Sequence, residues 1–189
     1  MKRIILASGS PRRKEIFKSL NIEFEIIKSS YDEILENDVF SYDKIENLAY
    51  NKALAVAKTV NEPALVVGAD TVVVSDNQIL GKPKDRADAF NMLKKLSGKE
   101  HFVVTSICVI ETPNMHTKTN STTSYVEFEN LTDDLINYYI DEFKPFDKAG
   151  SYGIQELPQG FVKHINGSFE NIVGLCSKSL TDLLKQFKH

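Results

Sequence analysis

Cysteine is scarce in this chain: Cys108 and Cys176 are the only two, far apart in apolar stretches, and no C-x-x-C pair occurs. That argues against a structural zinc site and for buried, reduced thiols. The four histidines, His101, His116, His164 and His189, show no H-x-x-x-H spacing. No apolar run approaches the roughly 18 residues of a membrane span. Near the start only residues 4–7 are apolar before Ser-Gly-Ser-Pro-Arg-Arg interrupts them. A signal peptide needs about 7–15. The expectation is therefore a cytoplasmic protein with no membrane partner. There is no excess of positive charge either. Lys and Arg total 23 against 26 Asp and Glu, for a net charge of -3. A generic cationic nucleic-acid binder is excluded, so no nucleic-acid partner is expected and any basic site must be local. Nine Gly and six Pro are ordinary counts, which exclude collagen-like and low-complexity classes.

What is present is a chain of 189 residues, 42% hydrophobic and 26% charged. A chain of this length buries about 70% of its unfolded surface and needs no covalent staples. No internal repeat or composition break marks a linker, so one domain spanning 1–189 is expected, its two lobes sharing a sheet around a cleft.

The patterning alternates strands and helices. Residues 4–7 are a short buried strand, and Ser10 with Pro11 then opens a helix whose apolar face holds Ile16, Phe17 and Leu20. Phe24, Ile26 and Ile27 suggest a second strand, followed by an acidic loop over 29–43. A helix is expected over 42–60 from the stripe Ile45, Leu48, Ala49, Ala53, Val56 and Val60. Residues 64–74, ALVVGADTVVV, are rich in β-branched residues and predict a strand. A turn at 75–77 and a short returning strand at 78–80 follow. Asp85 caps a helix that stops at Gly98. Residues 102–110 and 124–128 predict a long hairpin whose Thr- and Asn-rich tip, 112–123, is a mobile loop. Asp133 and Asp134 open a helix towards Phe143, with their charge favourably placed. An irregular loop, a strand at 161–165 and a helix at 177–187 complete the chain. The expected class is α/β, with a mixed twisted sheet, flanking helices and a central cleft.

Three segments carry candidate chemistry. Ser8-Gly9-Ser10-Pro11-Arg12-Arg13 runs from a strand through a small-residue turn into a helix. Helix N-termini expose free N–H groups and favour negative charge nearby, yet this one carries Arg12, Arg13 and Lys14. These are either solvated cations or an anion site in which N–H groups, Ser8, Ser10 and a guanidinium converge on phosphate. The G-K-[ST] ending of a Walker-type P-loop is missing. In Gly68-Ala69-Asp70-Thr71 a carboxylate interrupts an apolar strand. Asp70 therefore needs a cation or metal partner, unless it forms a structural ion pair or sits at a strand end. Lys82, held in Gly-Lys-Pro, and Lys52 are weaker signals that fit surface cations equally well. Glu33 can hold metal or simply be solvated. The polar, small-residue loop over 147–155 has the composition of a ligand loop. One anion site, isolated lysines, isolated carboxylates and an amide loop together match the needs of a metal–polyphosphate site.

The segments LASGSPRRKEIF, VVGADTVVV, ILGKPKDRADAFNMLKKLSGKEHFVVTSICVI and FKPFDKAGSYGIQELPQGFVKHINGSFENIVGL resemble the Maf family, in order and over nearly the whole chain. That family is also called septum formation protein or nucleoside triphosphate pyrophosphatase. The resemblance implies a cleft over a mixed sheet, related to the inosine-triphosphate pyrophosphatases. It implies hydrolysis of nucleoside triphosphates to monophosphate and pyrophosphate with a divalent metal, Mg²⁺ or Mn²⁺. On the matching positions, Asp70 is the catalytic acid/base, and Arg12, Thr71 and Gln155 discriminate substrates. Ser8, Arg13, Glu33, Lys52 and Lys82 fall on polar cleft positions. Arg13, Lys52 and Lys82, with Ser8 and Ser10, would then serve phosphate, and Glu33 and Asp70 metal. Two departures stand out: Cys176 where proline is usual, and Glu156 where glycine is usual, the latter in the substrate loop.

The resulting expectation is an enzyme that uses water directly on dTTP and UTP, clearing unwanted or modified nucleotides from the pool. No Ser–His or Cys–His pair suggests a covalent intermediate. Whether Asp70 acts as base or metal ligand is left open by its residue type. Rival readings are a nucleotide-binding regulator of septum formation with little turnover, and a pyrophosphatase for another base such as 7-methyl-GTP. A homodimer is the base-rate expectation for oligomeric state.

Overall fold

The computed structural model describes residues 2–31 and 38–187. Seven strands form one sheet: β1 (Arg3–Leu6), β2 (Glu25–Ile26), β3 (Ala64–Ser75), β4 (Gln78–Leu80), β5 (Glu100–Thr112), β6 (His116–Phe128) and β7 (Val162–Asn166). Their order is β2-β1-β3-β5-β6-β7, with β4 paired to β3. β1 is parallel to both β2 and β3, and every other pairing is antiparallel, so the sheet is mixed.

Strand β3 organises the sheet. One of its edges pairs with β5 from Ala64↔Thr112 to Val74↔Phe102. The other edge is shared. β1 occupies it opposite residues 64–67, and β4 returns to it opposite residues 73–75. Between them, residues 68–72 have no strand on that side among the described residues, and the sheet opens into a cleft.

Helices cover both faces. α1 (Pro11–Ser19) and α6 (Ser177–Lys185) bury Ile16, Phe17, Leu180 and Leu183 against Leu6, Leu65, Val67 and Ile107. On the opposite face α2 (Tyr42–Ala57) buries Ala49, Ala53 and Val56 against Ile5, Val66 and Ile110. α3 (Arg86–Leu96), α4 (Asp133–Phe143) and the short α5 (Phe169–Val173) enclose a separate cluster around Val73, Phe128 and Phe161. Local signals account for most helix starts: Ser41, Asp85 and Thr132 each accept a backbone N–H of the first turn. Gly98, just past α3, has φ +68°, the left-handed stop its position predicts.

The structure departs from the expected elements at three places. The segment 112–123 is mostly strand: β5 and β6 pair continuously from Glu100↔Glu127 to Glu111↔His116, leaving only residues 113–115 as the turn. Its threonines are β-branched and suit the pleated surface, so their polarity misled while their shape was informative. α5 was not anticipated, because five residues are too few to show a helical period. The second strand shrinks to the two exposed residues of β2, since Phe24 turns instead to pack on Phe17, their ring centroids 5.0 Å apart. Cys108 and Cys176 are buried and free, and burial pushes the Cys108 thiol up to about 11.

Gly68 sets the distance between α2 and β3. A Cβ there would lie 2.4 Å from the Ala49 carbonyl oxygen and 2.6 Å from the Ala53 backbone nitrogen. Both are main-chain atoms that cannot swing away. Gly68→Ala is expected to lower stability by about 1–3 kcal/mol, read as a lower urea midpoint; an unchanged midpoint would mean that α2 does not depend on this close approach.

Candidate active site

The gap in the β3 edge is walled by the turn after β1, by Lys82 after β4, by α1, and by the loop after α4. It encloses about 870 Å³. The structure brings together Ser8, Ser10, Arg12, Arg13, Lys52, Asp70, Thr71, Lys82 and Gln155 on its lining. Glu33 lies outside the described residues. Among the described residues, six basic side chains face three acidic ones on this lining, in a chain whose net charge is -3. The cleft is thus a local cationic pocket on an acidic protein.

Asp70 and Thr71 are neighbours on β3 and so point to opposite faces of the sheet. The missing edge strand lets both reach the cleft. Asp70, on the α2 face, is engaged at Oδ1 by Lys52 Nζ. The side chains are 15% and 19% exposed, which makes the pair sheltered but open to a ligand. Lys52 is one residue before Ala53, whose backbone rests on Gly68; the close approach of helix and strand is what gives the ammonium its reach.

Thr71, on the other face, meets Arg13. The Arg13 guanidinium is half-buried and held by three bonds: Nε to the Gly174 carbonyl at 2.9 Å, Nη1 to Ser8 Oγ at 3.3 Å and Nη2 to Thr71 Oγ1 at 3.1 Å. None of these acceptors carries a charge. Burial pulls the Arg13 pKa down, opposed by the Asp70 charge, with Arg12 adding to the lowering. A guanidinium has five N–H donors and stays protonated, so Arg13 is a sheltered cation with donors to spare for an anion. Ser8 Oγ also accepts the Ser10 N–H at 3.2 Å, tightening the turn into α1. The Ser10 side chain makes no cap bond, and α1 has no acidic residue in its first turn. The helix end that normally attracts a carboxylate is left for a ligand.

The opposite wall is the loop between α4 and β7, built from short 3₁₀ turns. The Gly150 N–H donates to the Gly81 carbonyl at 3.0 Å, fastening this loop beside Lys82. Buried Tyr152 and Ile154 anchor it in the core while Gln155 between the wall and solvent stays exposed. Gln155 and Arg12 also line a smaller recess with Glu15, Ser19 and Val173. Residue-type reasoning missed two cations of the site. Lys28 lays its stem against Gly9, and Lys148, 9% exposed, lies 2.9 Å from Asp147 Oδ1 and 3.4 Å from Glu156 Oε2. The composition of the 147–155 loop pointed to Lys148; nothing in the sequence marked Lys28.

Among the described residues no three His, Cys, Asp or Glu side chains gather as a metal cluster. A hard cation such as Mg²⁺ needs only one or two carboxylates when phosphate oxygens and water complete its shell, and Asp70 fits that part.

The architecture matches solved structures of the Ham1 type. The Staphylococcus aureus Ham1 protein aligns with a TM-score of 0.52 at 20% identity, covering 99% of this chain and 100% of its own. A HAM1 protein from Coxiella burnetii aligns with a TM-score of 0.53 at 18% identity, covering 98% and 100%. Likeness at this identity defines the class by fold: a Ham1-like mixed α/β protein, here with a cationic cleft at the gap in its sheet. The family model described as Maf-like protein matches residues 3–187, and the chain belongs to the Maf family. It is similar to proteins named dTTP/UTP pyrophosphatase from Acetivibrio thermocellus, 48% identical over 99% of this chain and 96% of that one, and from Clostridioides difficile, 46% identical over 97% and 94%. No helix among the described residues is long and apolar enough to cross a membrane.

One buried group ties the site to pH. His101 Nε2 lies 2.7 Å from the Tyr152 hydroxyl beneath the cleft loop, and burial pushes the histidine down to about 4. Its ordinary pKa is about 6.5. Between those values the unfolded chain binds a proton that the folded chain does not. Stability from this residue is therefore complete above about 6.5 and is lost on acidification at up to about 1.4 kcal/mol per pH unit, levelling off below about 4. The wild-type minus His101→Gln difference in unfolding free energy should decline from pH 7 to pH 4; a constant difference would contradict the assignment.

Proposed function

We propose that this chain is a metal-assisted nucleoside triphosphate pyrophosphatase acting on dTTP and UTP. Water attacks the α-phosphorus, the bond to the bridging oxygen of the β-phosphate breaks, and the products are the monophosphate and pyrophosphate. The observation that carries the reading is the Arg13 guanidinium, bonded to neutral oxygens beside the Lys52–Asp70 pair: a sheltered cation next to a carboxylate suits a polyphosphate and the water that cleaves it. The names of the close relatives support the choice of bases.

Lys52 takes Oδ1 of Asp70 and so orients the second carboxylate oxygen, which holds either the attacking water or a cation. Arg13, Lys52 and Lys82, with Ser8, Ser10 and the N–H groups opening α1, neutralise the triphosphate and the leaving pyrophosphate. Mg²⁺ or Mn²⁺ bound by Asp70, with Glu33 as the second carboxylate implied by family resemblance, would draw negative charge from the phosphates being separated. Gln155 presents a donor and an acceptor that match the N–H and carbonyl edge of uracil or thymine, and Arg12 supplies a further donor to a base carbonyl. Sites built on such polar contacts reject bases that leave them unpaired.

A panel of triphosphates with pyrophosphate detection, with and without EDTA, tests the reading. dTTP and UTP should be the best common substrates, ATP and GTP much poorer, and EDTA should stop turnover. Asp70→Asn should lower hydrolysis at least about 100-fold, the scale of a general base or lost metal ligand. Near-normal turnover in that variant would remove Asp70 from the chemistry. Gln155→Ala should reduce activity on UTP far more than on ATP; an equal loss on both would leave the phosphate chemistry standing without base recognition by this residue.

A further inference from the structure

Arg13 can serve an anion only if its guanidinium is aimed, and all three groups that hold it are neutral. One of them belongs to a chain of hydroxyls that leads away from the cleft. Thr71 Oγ1 accepts from Arg13 Nη2 at 3.1 Å and lies 2.8 Å from Thr105 Oγ1, while Thr105 Oγ1 donates to the Asn171 carbonyl at 2.9 Å. The Gly174 carbonyl, at 3.3 Å from Thr71 Oγ1, is the more distant acceptor and already receives Arg13 Nε. A threonine hydroxyl has one hydrogen. Thr105 gives its hydrogen to Asn171, and its oxygen is then the nearer acceptor for the Thr71 hydrogen, at 2.8 Å against 3.3 Å to the Gly174 carbonyl. That leaves the Thr71 oxygen facing Arg13 as acceptor only.

The far end of the chain is rigid. Asn171 is fully buried, and its side-chain amide donates to the Val103 carbonyl and to Ser124 Oγ, each at 3.0 Å. Its backbone N–H is capped by Ser168 Oγ at 3.1 Å. α5 is thereby pinned to β5 and β6, and its end delivers both the Asn171 carbonyl that fixes Thr105 and the Gly174 carbonyl that receives Arg13.

We propose that Thr105, 1% exposed and outside the cleft lining, is a positioning residue for anion binding: it sets the hydrogen direction of Thr71, and Thr71 in turn aims Arg13. Thr71 then acts on the triphosphate through Arg13. The proposal rests on the reading of the cleft as a triphosphate site.

The test compares Thr105→Val, which keeps shape and removes the hydroxyl, with Thr105→Ser, which keeps the hydroxyl. Thr105→Val should raise KM for dTTP and UTP, and the Kd for inorganic tripolyphosphate measured by calorimetry, each roughly tenfold, the scale of one lost hydrogen bond. Thr105→Ser should keep both near wild type. In an Arg13→Ala background Thr105→Val should add nothing, because the group it aims is gone. A purely structural role would reduce the fraction of binding-competent protein, seen as a lower calorimetric stoichiometry, and leave Kd and KM unchanged; that result overturns the proposal. So does an additive loss in the Arg13→Ala background. If the wild-type protein neither binds tripolyphosphate nor releases pyrophosphate from dTTP, the triphosphate reading itself has failed, which the variants alone would not show.

Discussion

A strand that shares one edge between two partners leaves a stretch of backbone between them, and the rest of this site depends on that stretch. β1 ends opposite Val67 and β4 ends opposite Val73. The intervening residues, Gly68 to Val72, keep full pairing to β5 on their other edge. They are thus rigid yet open, a combination that a loop cannot supply. The cleft draws a carboxylate from one face of the sheet and a hydroxyl from the other because, among the described residues, no neighbouring strand divides them.

Charge in the cleft is arranged by the same constraint. Lys52 comes from α2 on one face and meets Asp70, while Arg13 comes from α1 on the other and, among the described residues, bonds neutral oxygens. The first pair is nearly self-compensated; the second group is not. A half-buried cation without a bonded carboxylate gains when something negative arrives. In the proposed mechanism the α1 side therefore holds the anion and the α2 side handles the water.

Much of this was legible in the residues. The β-branched run around Gly68-Ala69-Asp70-Thr71 marked the central strand, Asp85 and Gly98 marked the two ends of α3, and Asp70 announced its need for a partner by interrupting an apolar stretch. What was hidden shares one physical cause: the signal resided in pairing or contact over long sequence separation. The threonines of β6 read as a loop until β5 was set beside them. α5 was too short to show periodicity. Thr105 is one of several hydroxyl residues in β5 and β6, and nothing local separates it from Ser106, which bonds Ser121 at 2.7 Å across the hairpin. That Lys52 partners Asp70 rather than solvent follows from Gly68, whose missing side chain has meaning only against Ala49 and Ala53.

The length of the β3–β5 register has a consequence for how faithfully the site is assembled. Successive side chains on a strand face opposite ways, so a slip of one residue would turn Asp70 towards Arg13 and Thr71 towards Lys52. Such a sheet would still be hydrogen-bonded, but its carboxylate would quench the anion-binding guanidinium and its lysine would be left without a counter-charge. Eleven consecutive partners fix that alignment, and a further twelve hold β5 to β6. The extended hairpin is thus a keyed joint, its many teeth denying the active-site strand its nearest wrong position.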